Sequence, residues 1–307
     1  MQLGFVSAIF GDQSLVDVLA FAAAEGYDCV EVMCWPAGGP DRKYGGVCHL
    51  DVDGFMQTRA DEVRALCAKH SVTISALGYY SNPLAADAEE AGRAQAHLRK
   101  VIDAAPLLGL DIVNSFVGAH TQLPLEDNLQ RFAAVWPDLV RYAEDRGVRI
   151  GIENCPMLFA RTWPFGMNLA RTPAIWRRMF EIIPSANFGL NYDPSHLVMQ
   201  FVDPIEPIRE FGPRIFHTHA KDMRIDRARL QDVGSLELPL ERSEAKIPGR
   251  GEIDWARWVG ALRAVGYNGA VAVEVEDEAF TETLDGRKEA LRRSRNALRA
   301  LVGEPLP

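Results

Sequence analysis

The segment GVRIGIE (residues 147–153) carries the pattern that decides the fold: a helix-ending glycine, a bulky apolar residue and a short apolar run. The pattern returns three times, as GYDCVEVM (26–33), GLDIVNSFV (109–117) and GYNGAVAVEV (266–275). Glycine suits the left-handed conformation just past a helix, and the apolar residue after it packs back on the last turn. The apolar runs are typical of strands covered on both faces in a parallel sheet. Each copy therefore predicts a helix followed by a buried parallel strand.

Weaker copies of this unit complete a set of eight predicted strands and eight predicted helices. The strands are expected at 3–8, 28–33, 72–77, 111–117, 148–153, 187–192, 214–219 and 270–275. The helices are expected at 14–25, 56–69, 90–107, 127–146, 172–183, 204–211, 254–265 and 284–302. The first helix has a capping-box-like start, with Ser14 followed three residues later by Asp17.

Strict strand–helix alternation with short connections favours a closed barrel over an open doubly wound sheet. No GxGxxG follows the first strand, so a dinucleotide-binding fold loses its main support. We therefore expect an α/β protein, a single (β/α)8 TIM barrel domain over residues 1–307. Three long stretches, 34–55, 154–171 and 220–253, follow predicted strands and are expected to extend the loops over the C-terminal mouth, where such barrels build active sites.

Composition narrows the functional classes. A formal net charge of −9 argues against a nucleic-acid-binding protein, which usually carries a basic face. The N-terminal segment MQLGFVSAIF has no signal-peptide pattern, and no apolar run approaches the length of a membrane span. The five cysteines form no CxxC pair and are typical of reduced thiols. These features predict a cytoplasmic protein without a membrane or nucleic-acid partner.

Charged and imidazole side chains gather at the ends of the last four predicted strands, which close in GIEN (151–154), NYDPSH (191–196), HTHAKD (217–222) and VEVED (273–277). A charge at the end of a buried strand costs several kcal/mol unless it is paired or bound to a metal. Successive strand ends converge on one side of a barrel mouth, where a divalent cation removes the repulsion between carboxylates. An oxygen-rich set with one or two imidazoles suits manganese, magnesium, cobalt or zinc.

The same motifs, together with IGIEN (150–154) and GRGEIDW (249–255), stand in the order found in the xylose isomerase-like barrels. The segments CHLDVD (48–53) and ISALGYYSNPL (74–84) also resemble one bacterial subgroup. This superfamily contains sugar isomerases, epimerases and related lyases, and it is related to the AP endonuclease 2 family. The resemblance covers essentially the whole chain and implies one divalent metal ion, with manganese first and magnesium, cobalt or zinc as alternatives. It implies as metal ligands Glu153, Asp193, His219 and Glu274.

The resemblance also implies a reaction. Glu153 and Glu274 are expected to face opposite sides of the substrate, so that one takes a proton from the carbon next to a carbonyl and the other returns it. The metal is expected to stabilise the resulting enediolate as a Lewis acid. His196 matches a position that contacts substrate beside the metal. We therefore expect a metal-dependent sugar isomerase or epimerase that acts on a small sugar or keto-sugar.

Further substrate contacts are predicted in loops at the mouth, where aromatic rings stack on sugar faces and polar groups bind hydroxyls. They are Trp35, Tyr79, Asn82, His120, Arg224 and Glu276.

Four other residues are given lesser roles. Lys221 and Asp222 are expected either to orient His219 or to cap the strand. His217 is expected to point to the other face of its strand as a packing residue, and Glu252 to shape the mouth.

Departures from better-known branches keep a second reaction open. Ketose 3-epimerases carry a second glutamate where this chain has Phe159, and an arginine where it has Ile225. The alternative is a lyase or dehydratase that eliminates a group from a keto-sugar, inosose or 3-keto-glycoside, similar to C-glycoside deglycosidases. A non-catalytic sugar-binding subunit is a third hypothesis. A homo-oligomer is compatible with the sequence, and a small partner subunit is expected only in the C-glycoside deglycosidase case.

Overall fold

The computed structural model describes residues 1–39, 45–158 and 166–303. Its strands are β1 (Gln2–Val6), β2 (Cys29–Met33), β3 (Thr73–Tyr79), β4 (Ile112–Ser115), β5 (Arg149–Glu153), β6 (Phe188–Tyr192), β7 (Ile215–Ala220), β8 (Asp222–Ile225), β9 (Ser243–Lys246) and β10 (Ala270–Val273). Eight of them form a closed barrel in the order β1-β10-β7-β6-β5-β4-β3-β2. Neighbouring barrel strands are parallel, and helices connect them, so the predicted TIM barrel is confirmed.

The helices lie between the barrel strands. They are α1 (Leu15–Ala24), α2 (Gln57–His70), α3 (Ala88–Leu107), α4 (Leu125–Glu144), α5 (Pro173–Ile182), α6 (Ser195–Val198), α7 (Glu206–Phe211), α8 (Arg227–Val233), α9 (Trp255–Ala264), α10 (Glu278–Thr281) and α11 (Leu284–Val302). Short 3-10 turns occupy Ser7–Phe10, Gly212–Arg214 and Pro239–Glu241. Every predicted strand and helix has a counterpart whose ends lie within two residues of the predicted ones.

The four helix–glycine–strand junctions adopt the geometry that the sequence predicts. Gly26, Gly109, Gly147 and Gly266 all have positive φ, between 68° and 77°. At Gly147 the backbone N–H donates to the carbonyl of Glu144 at 2.9 Å, and the next N–H, of Val148, donates to Ala143 at 2.9 Å. This pair of bonds closes the C-terminus of a helix and turns the chain into the following strand. The predicted capping box at Ser14 and Asp17 is also present.

An antiparallel hairpin of β8 and β9 follows the seventh barrel strand, in a stretch where the sequence predicted only a long loop. The carboxylate of Asp222 fastens its base, because it accepts hydrogen bonds from the backbone of Gly249 and Ile253 and from the indole of Trp255 at 3.0 to 3.1 Å. Glu252 accepts from the backbone of Ile225. The described hydrogen bonds of Asp222 and Glu252 therefore stabilise the hairpin and the segment that follows it.

The apolar core fills the layer between barrel and helices. The side chains of β2, β6 and β7 are buried along their whole length, as expected for central strands covered on both sides. Among the described residues, none of the helices combines the length and the apolar character that a membrane crossing requires.

Candidate metal centre and active site

Four side chains from four adjacent barrel strands meet at the mouth. Glu153 ends β5, Asp193 directly follows β6, His219 lies in β7, and Glu274 directly follows β10. One ligand atom from each residue lies within 4.8 Å of the others. The Nδ1 atom of His219 is 3.7 Å from Oε1 of Glu153 and 3.5 Å from Oε2 of Glu274. The structure thus brings together the four residues that the sequence selected, and we call this group the Nδ1 cluster.

Local hydrogen bonds hold the carboxylates in place. The side-chain amide of Asn154 donates to the backbone carbonyl of Asp193 and accepts from its N–H, both at 2.8 Å, which ties the end of β5 to the end of β6. The Oδ1 atom of Asp193 accepts from the N–H of Ser195 at 2.8 Å. The other carboxylate oxygen is thereby turned towards the Nδ1 cluster.

The Nδ1 cluster fits a divalent cation. Nδ1 of His219 is buried and makes no hydrogen bond. Oδ2 of Asp193 is also buried without a hydrogen bond, although Lys221 and His196 lie 3.2 and 3.4 Å from it as ionic neighbours. Buried polar atoms without partners are rare in folded proteins because they lose their hydration without compensation. Three carboxylates and one imidazole nitrogen are ligands that manganese, magnesium, cobalt and zinc accept. The group is therefore a candidate site for one divalent metal ion, whose identity this donor set leaves open.

Lys221 is a fully buried cation beside the Nδ1 cluster. Its ammonium donates to Oε2 of Glu274 at 2.6 Å and lies 3.2 Å from carboxylate oxygens of Glu276 and Asp193. Burial acts to lower the pKa of Lys221, but the charges of Glu274 and Glu276 outweigh it and hold that pKa well above its usual range. Lys221 therefore stays charged, and it contacts the acidic groups rather than orienting His219.

The carboxylates differ in their protonation. Burial and the neighbouring charge of Glu274 act to raise the pKa of Glu153, but the hydrogen bond from His196 and the nearby charge of His219 outweigh them and lower it to about 2. Glu153 is accordingly ionised. Burial dominates at Glu276 and raises its pKa, although Lys221 opposes the shift.

Of the predicted substrate contacts, His196 and Glu276 lie at this site. Nε2 of His196 is 3.3 Å from Glu153 Oε1 and 3.4 Å from Asp193 Oδ2. Glu276 is connected to the Nδ1 cluster by Lys221, whose ammonium lies 3.2 Å from Oε2 of Glu276 and also pairs with Glu274.

The aromatic and amide residues from the earlier loops have structural partners. The rings of Trp35 and Tyr79 pack edge to face, with centroids 5.1 Å apart, and Tyr79 also packs on His97. Asn82 donates to the carbonyl of Ala119 and accepts from its N–H, both at 2.9 Å.

The last two predicted contacts also have partners elsewhere. His120 accepts through Nδ1 from the backbone of Gln122. Arg224 is exposed and pairs with Glu244 across the hairpin at 2.6 Å. Phe159 lies outside the described residues. The contacts described for these predicted residues are thus with neighbouring loop and hairpin residues, and a role in substrate binding stays a prediction.

A second polar group lies on the opposite side of the His219 ring and was missed by the sequence reasoning. It contains Glu31, Ser75, Tyr80, Asn191 and His217, and we call it the Nε2 cluster. Oε2 of Glu31 lies 2.7 Å from Nε2 of His219, and Glu31 is completely buried. A glutamate inside the apolar strand CVEVM was the signal available in the sequence, and Tyr80 rather than its neighbour Tyr79 contacts it.

The prediction for His217 was wrong. Residues two apart in a strand point to the same face, so His217 and His219 both point inward, with ring centroids 5.9 Å apart. Nδ1 of His217 is 3.0 Å from Oδ1 of Asn191, and Nε2 is 3.0 Å from Oγ of Ser75. Burial lowers the pKa of His217 to about 4, so its ring is neutral.

A family model matches residues 19–301 and describes a xylose isomerase-like TIM barrel. The chain belongs to the xylose isomerase-like TIM barrel family. The uncharacterized protein YfiH of Bacillus subtilis (strain 168) is 29% identical over 311 residues, which cover 90% of this chain and 93% of YfiH. An inosose dehydratase of Geobacillus thermodenitrificans (strain NG80-2) is 33% identical over 116 residues, which cover 37% of this chain and 38% of that enzyme.

Solved structures share this barrel over nearly the whole length of the chain. The IolI protein, crystallised with a bound zinc atom, superposes with a TM-score of 0.73 at 18% identity and covers 98% of each chain. A D-psicose 3-epimerase crystallised in the presence of D-fructose has a TM-score of 0.71 at 16% identity, covering 99% of this chain and 100% of the epimerase. These likenesses establish the fold; the proteins similar to this chain include inosose dehydratases by sequence and a D-psicose 3-epimerase by structure.

Proposed function

We propose that this family member is a divalent-metal-dependent enzyme that removes a proton from the carbon next to a carbonyl in a sugar or sugar-like substrate. The reaction we expect first is isomerisation or epimerisation through an enediolate. One observation carries the proposal: two carboxylates, Glu153 and Glu274, approach the same buried nitrogen of His219 from strands that are separated by β6 and β7 around the barrel.

The proposed ligands are Glu153, Asp193, His219 and Glu274, with manganese as the expected ion and magnesium, cobalt or zinc as alternatives. When bound, the cation acts as a Lewis acid that polarises the substrate carbonyl and stabilises the negative charge which develops on proton removal. Zinc bound to the IolI protein, which has the same fold, supports a divalent ion.

The residues of the chain supply the proton transfers and the orientation. Glu153 is ionised and is the proposed base. Although burial acts to raise it, Lys221 and His219 lower the pKa of Glu274 as well, so the proton that Glu274 returns from the other side would come from the ammonium of Lys221, which donates to it at 2.6 Å. Proton exchange of Glu153 and Lys221 with solvent would then restore the starting state. Lys221 adds a positive charge to a buried site in which negative charge develops during the reaction. His196 and Glu276 are the proposed contacts to substrate hydroxyls, because they flank the two glutamates.

The test is solvent deuterium exchange. Manganese-loaded protein is incubated in deuterated water with keto-sugars, inososes and 3-keto-glycosides, and label at the carbon next to the carbonyl is measured by mass spectrometry. Glu153→Gln and Glu274→Gln are each expected to lower the exchange rate by about 10² to 10⁴-fold, since the general base or acid is lost.

Glu206→Gln is the matched control, because Glu206 is exposed on α7 and pairs only with Arg209 among the interactions described. It should exchange at the wild-type rate. Exchange at the wild-type rate in both active-site variants would remove the two glutamates from the proton transfer and contradict the proposal. A wild type that binds a sugar without exchanging any label would instead favour a non-catalytic sugar-binding protein.

Elimination is the second candidate reaction, and two observations favour it. Inosose dehydratases are among the relatives of the chain. Ile225, where the resemblance to ketose 3-epimerases called for an arginine, is buried in a small apolar group with Leu158 and Met199. An eliminating enzyme uses the same proton abstraction and then expels a hydroxyl or glycosyl group. It should form an enone that absorbs in the near ultraviolet, whereas an epimerase exchanges deuterium without loss of water.

A further inference from the structure

The two nitrogens of His219 have different surroundings. Nδ1 faces Glu153 and Glu274 and makes no hydrogen bond. Nε2 lies 2.7 Å from Oε2 of Glu31, 2.9 Å from Nδ2 of Asn191 and 3.3 Å from the hydroxyl of Tyr80. Since a neutral imidazole carries one proton, the partners of Nε2 decide which nitrogen is left with a lone pair.

The Nε2 cluster determines where that proton lies. Ser75 donates to Nε2 of His217, and Nδ1 of His217 then donates to Oδ1 of Asn191. This orients the amide of Asn191 so that Nδ2 donates to the Tyr80 oxygen at 2.9 Å. The Tyr80 hydroxyl in turn donates to Oε1 of Glu31.

At the end of this chain of hydrogen bonds, Glu31 can only accept. An amide nitrogen cannot accept a proton, and the Tyr80 oxygen, 3.3 Å away, already accepts from Asn191. The nearest acceptor for a proton on Nε2 of His219 in this group is therefore Oε2 of Glu31, at 2.7 Å. When the ring of His219 is neutral, it is therefore held with its proton on Nε2 and its lone pair on Nδ1, facing the Nδ1 cluster.

The backbone around Glu31 provides space for its side chain and sets the direction in which it points. A Cβ at Gly78 would clash with Cε of Met33 and lie 2.7 Å from Oε1 of Glu31, so a larger residue here would push these side chains out of their present positions. The pairing of β2 with β3 shifts register between Val30 and Glu31, and the pairing of β6 with β7 shifts between Leu190 and Asn191. Such irregularities re-aim side chains, and here both occur beside members of the Nε2 cluster.

We propose that Glu31, held by Tyr80, is a positioning residue that presents His219 to the metal through Nδ1 and strengthens that nitrogen as a ligand. This inference rests on the proposed metal-dependent function. A carboxylate that accepts from the far nitrogen of a metal-bound histidine fixes the orientation of the ring and raises its basicity, and loss of such a partner typically weakens metal binding by 10- to 100-fold.

Glu31, His217 and His219 also lie close enough together to suggest a second cation site. The hydrogen bonds argue against it, because the facing atoms of Glu31 and His217 already have partners at hydrogen-bond distance. Oxygen and nitrogen atoms that are satisfied in this way gain little from a metal and would have to give up those bonds.

Glu31→Gln tests the inference through metal affinity, without any substrate. The dissociation constants of Co²⁺ and Zn²⁺ are measured by competition with a chelator, and the visible absorption of the Co²⁺ protein is recorded. Glu31→Gln is expected to bind both ions about 10- to 100-fold more weakly than wild type and to shift the Co²⁺ bands. Tyr80→Phe, which keeps the carboxylate but removes one donor to it, should weaken binding less.

Glu252→Gln is the matched control, because this carboxylate holds the hairpin through Ile225 and Arg227 and lies outside both clusters. Thermal unfolding of the metal-free variants separates a folding defect from a ligand defect. If Glu31→Gln fails to fold, Tyr80→Phe serves as the test. Metal binding by Tyr80→Phe that is weaker than that of the wild type supports the inference, and binding equal to that of the wild type overturns it.

A Glu31→Gln protein that folds and binds metal within twofold of wild type overturns the inference while leaving the proposed function intact. Uptake of two ions per chain, with one lost in Glu31→Gln, would overturn it by making Glu31 a ligand. A wild-type chain that binds no divalent metal would instead overturn the proposed function, and the inference with it.

Discussion

The Nδ1 and Nε2 clusters share one histidine and have similar chemistry, yet only one has the properties of a metal site. Both combine carboxylate and imidazole groups, with one carboxylate in the Nε2 cluster and three in the Nδ1 cluster, and both have three or more such groups within 4.8 Å of one another. In the Nδ1 cluster, His219 Nδ1 and Asp193 Oδ2 lack hydrogen bonds, whereas in the Nε2 cluster Glu31 and His217 are paired at both ends. Residue type and spacing therefore do not distinguish a set of metal ligands from a group of residues that hydrogen-bond to one another. The two are distinguished by whether the facing atoms already have hydrogen-bond partners.

The largest difference between the clusters should appear in Asp193→Asn. This change removes the negative charge of the side chain and replaces one carboxylate oxygen by an amide nitrogen, while the shape of the side chain is kept. We expect divalent-metal affinity to fall by at least about 100-fold and deuterium exchange to fall with it, since a ligand and not only its support is lost. Isothermal titration with Mn²⁺ measures the affinity.

Thermal unfolding gives an independent reading of the same variant. At a hundredfold excess of metal over its dissociation constant, the wild type should gain about 2.7 kcal/mol in unfolding free energy, and Asp193→Asn should gain almost none. An equal metal-induced shift in both proteins would remove Asp193 from the ligand set.

The pH dependence of metal binding sharpens the role of Nδ1. In the metal-free protein, burial acts to lower the pKa of His219, but the charges of Glu31 and Glu274 outweigh it and hold that pKa well above its usual range. A metal must then displace the proton from Nδ1, so affinity should rise by about tenfold per pH unit below the pKa. Chelator competition between pH 6 and pH 8, with proton release measured in weak buffer, tests this. A flat profile would show that no such proton is displaced.

His217→Leu should separate the clusters by stability. The substitution leaves Oδ1 of Asn191 buried without its partner, so we expect the unfolding free energy to fall by about 1 to 3 kcal/mol. Metal affinity should stay within about threefold of wild type, since Glu31 and Tyr80 remain. Chemical denaturation of the metal-free protein and a Co²⁺ titration measure the two effects. A loss of affinity as large as that in Asp193→Asn would make His217 a ligand.

Ser75→Ala is expected to have the smallest effect. Ser75 is the outermost, half-buried member of the Nε2 cluster and donates only to Nε2 of His217. Its loss should cost about 1 kcal/mol of stability and leave metal binding unchanged. The stability change is measured by the midpoint of urea denaturation. An altered metal affinity would contradict the inference that Glu31 is the member of the Nε2 cluster that acts on the metal ligand His219.

The barrel and the Nδ1 cluster were accessible from the sequence because both depend on local pattern. The glycine junctions mark where helices end, and residues at the close of successive strands of a parallel barrel must meet at one mouth. The ligand roles themselves stay predictions, as do the single domain and the cytoplasmic location.

The Nε2 cluster and the loop contacts were not accessible in the same way. Glu31 and Asn191 sit at register irregularities, which change the direction of side chains without a clear mark in the sequence. Asn82 follows a strand and resembles a substrate contact, yet its amide satisfies the backbone of Ala119. For one member the sequence did carry a signal, because the two-residue period of a strand places His217 on the same face as His219, contrary to our expectation for it.

The sequence by itself determined the strand–helix order, the closed barrel and the group of charged residues at its mouth, because chain periodicity and helix-ending glycines act over a few neighbouring residues. Tertiary structure alone decided that Nδ1 of His219 lacks a hydrogen bond and that Nε2 is paired with Glu31. That choice depends on distances of about 3 Å between β2, β3, β6 and β7, and such distances arise only when the barrel has closed.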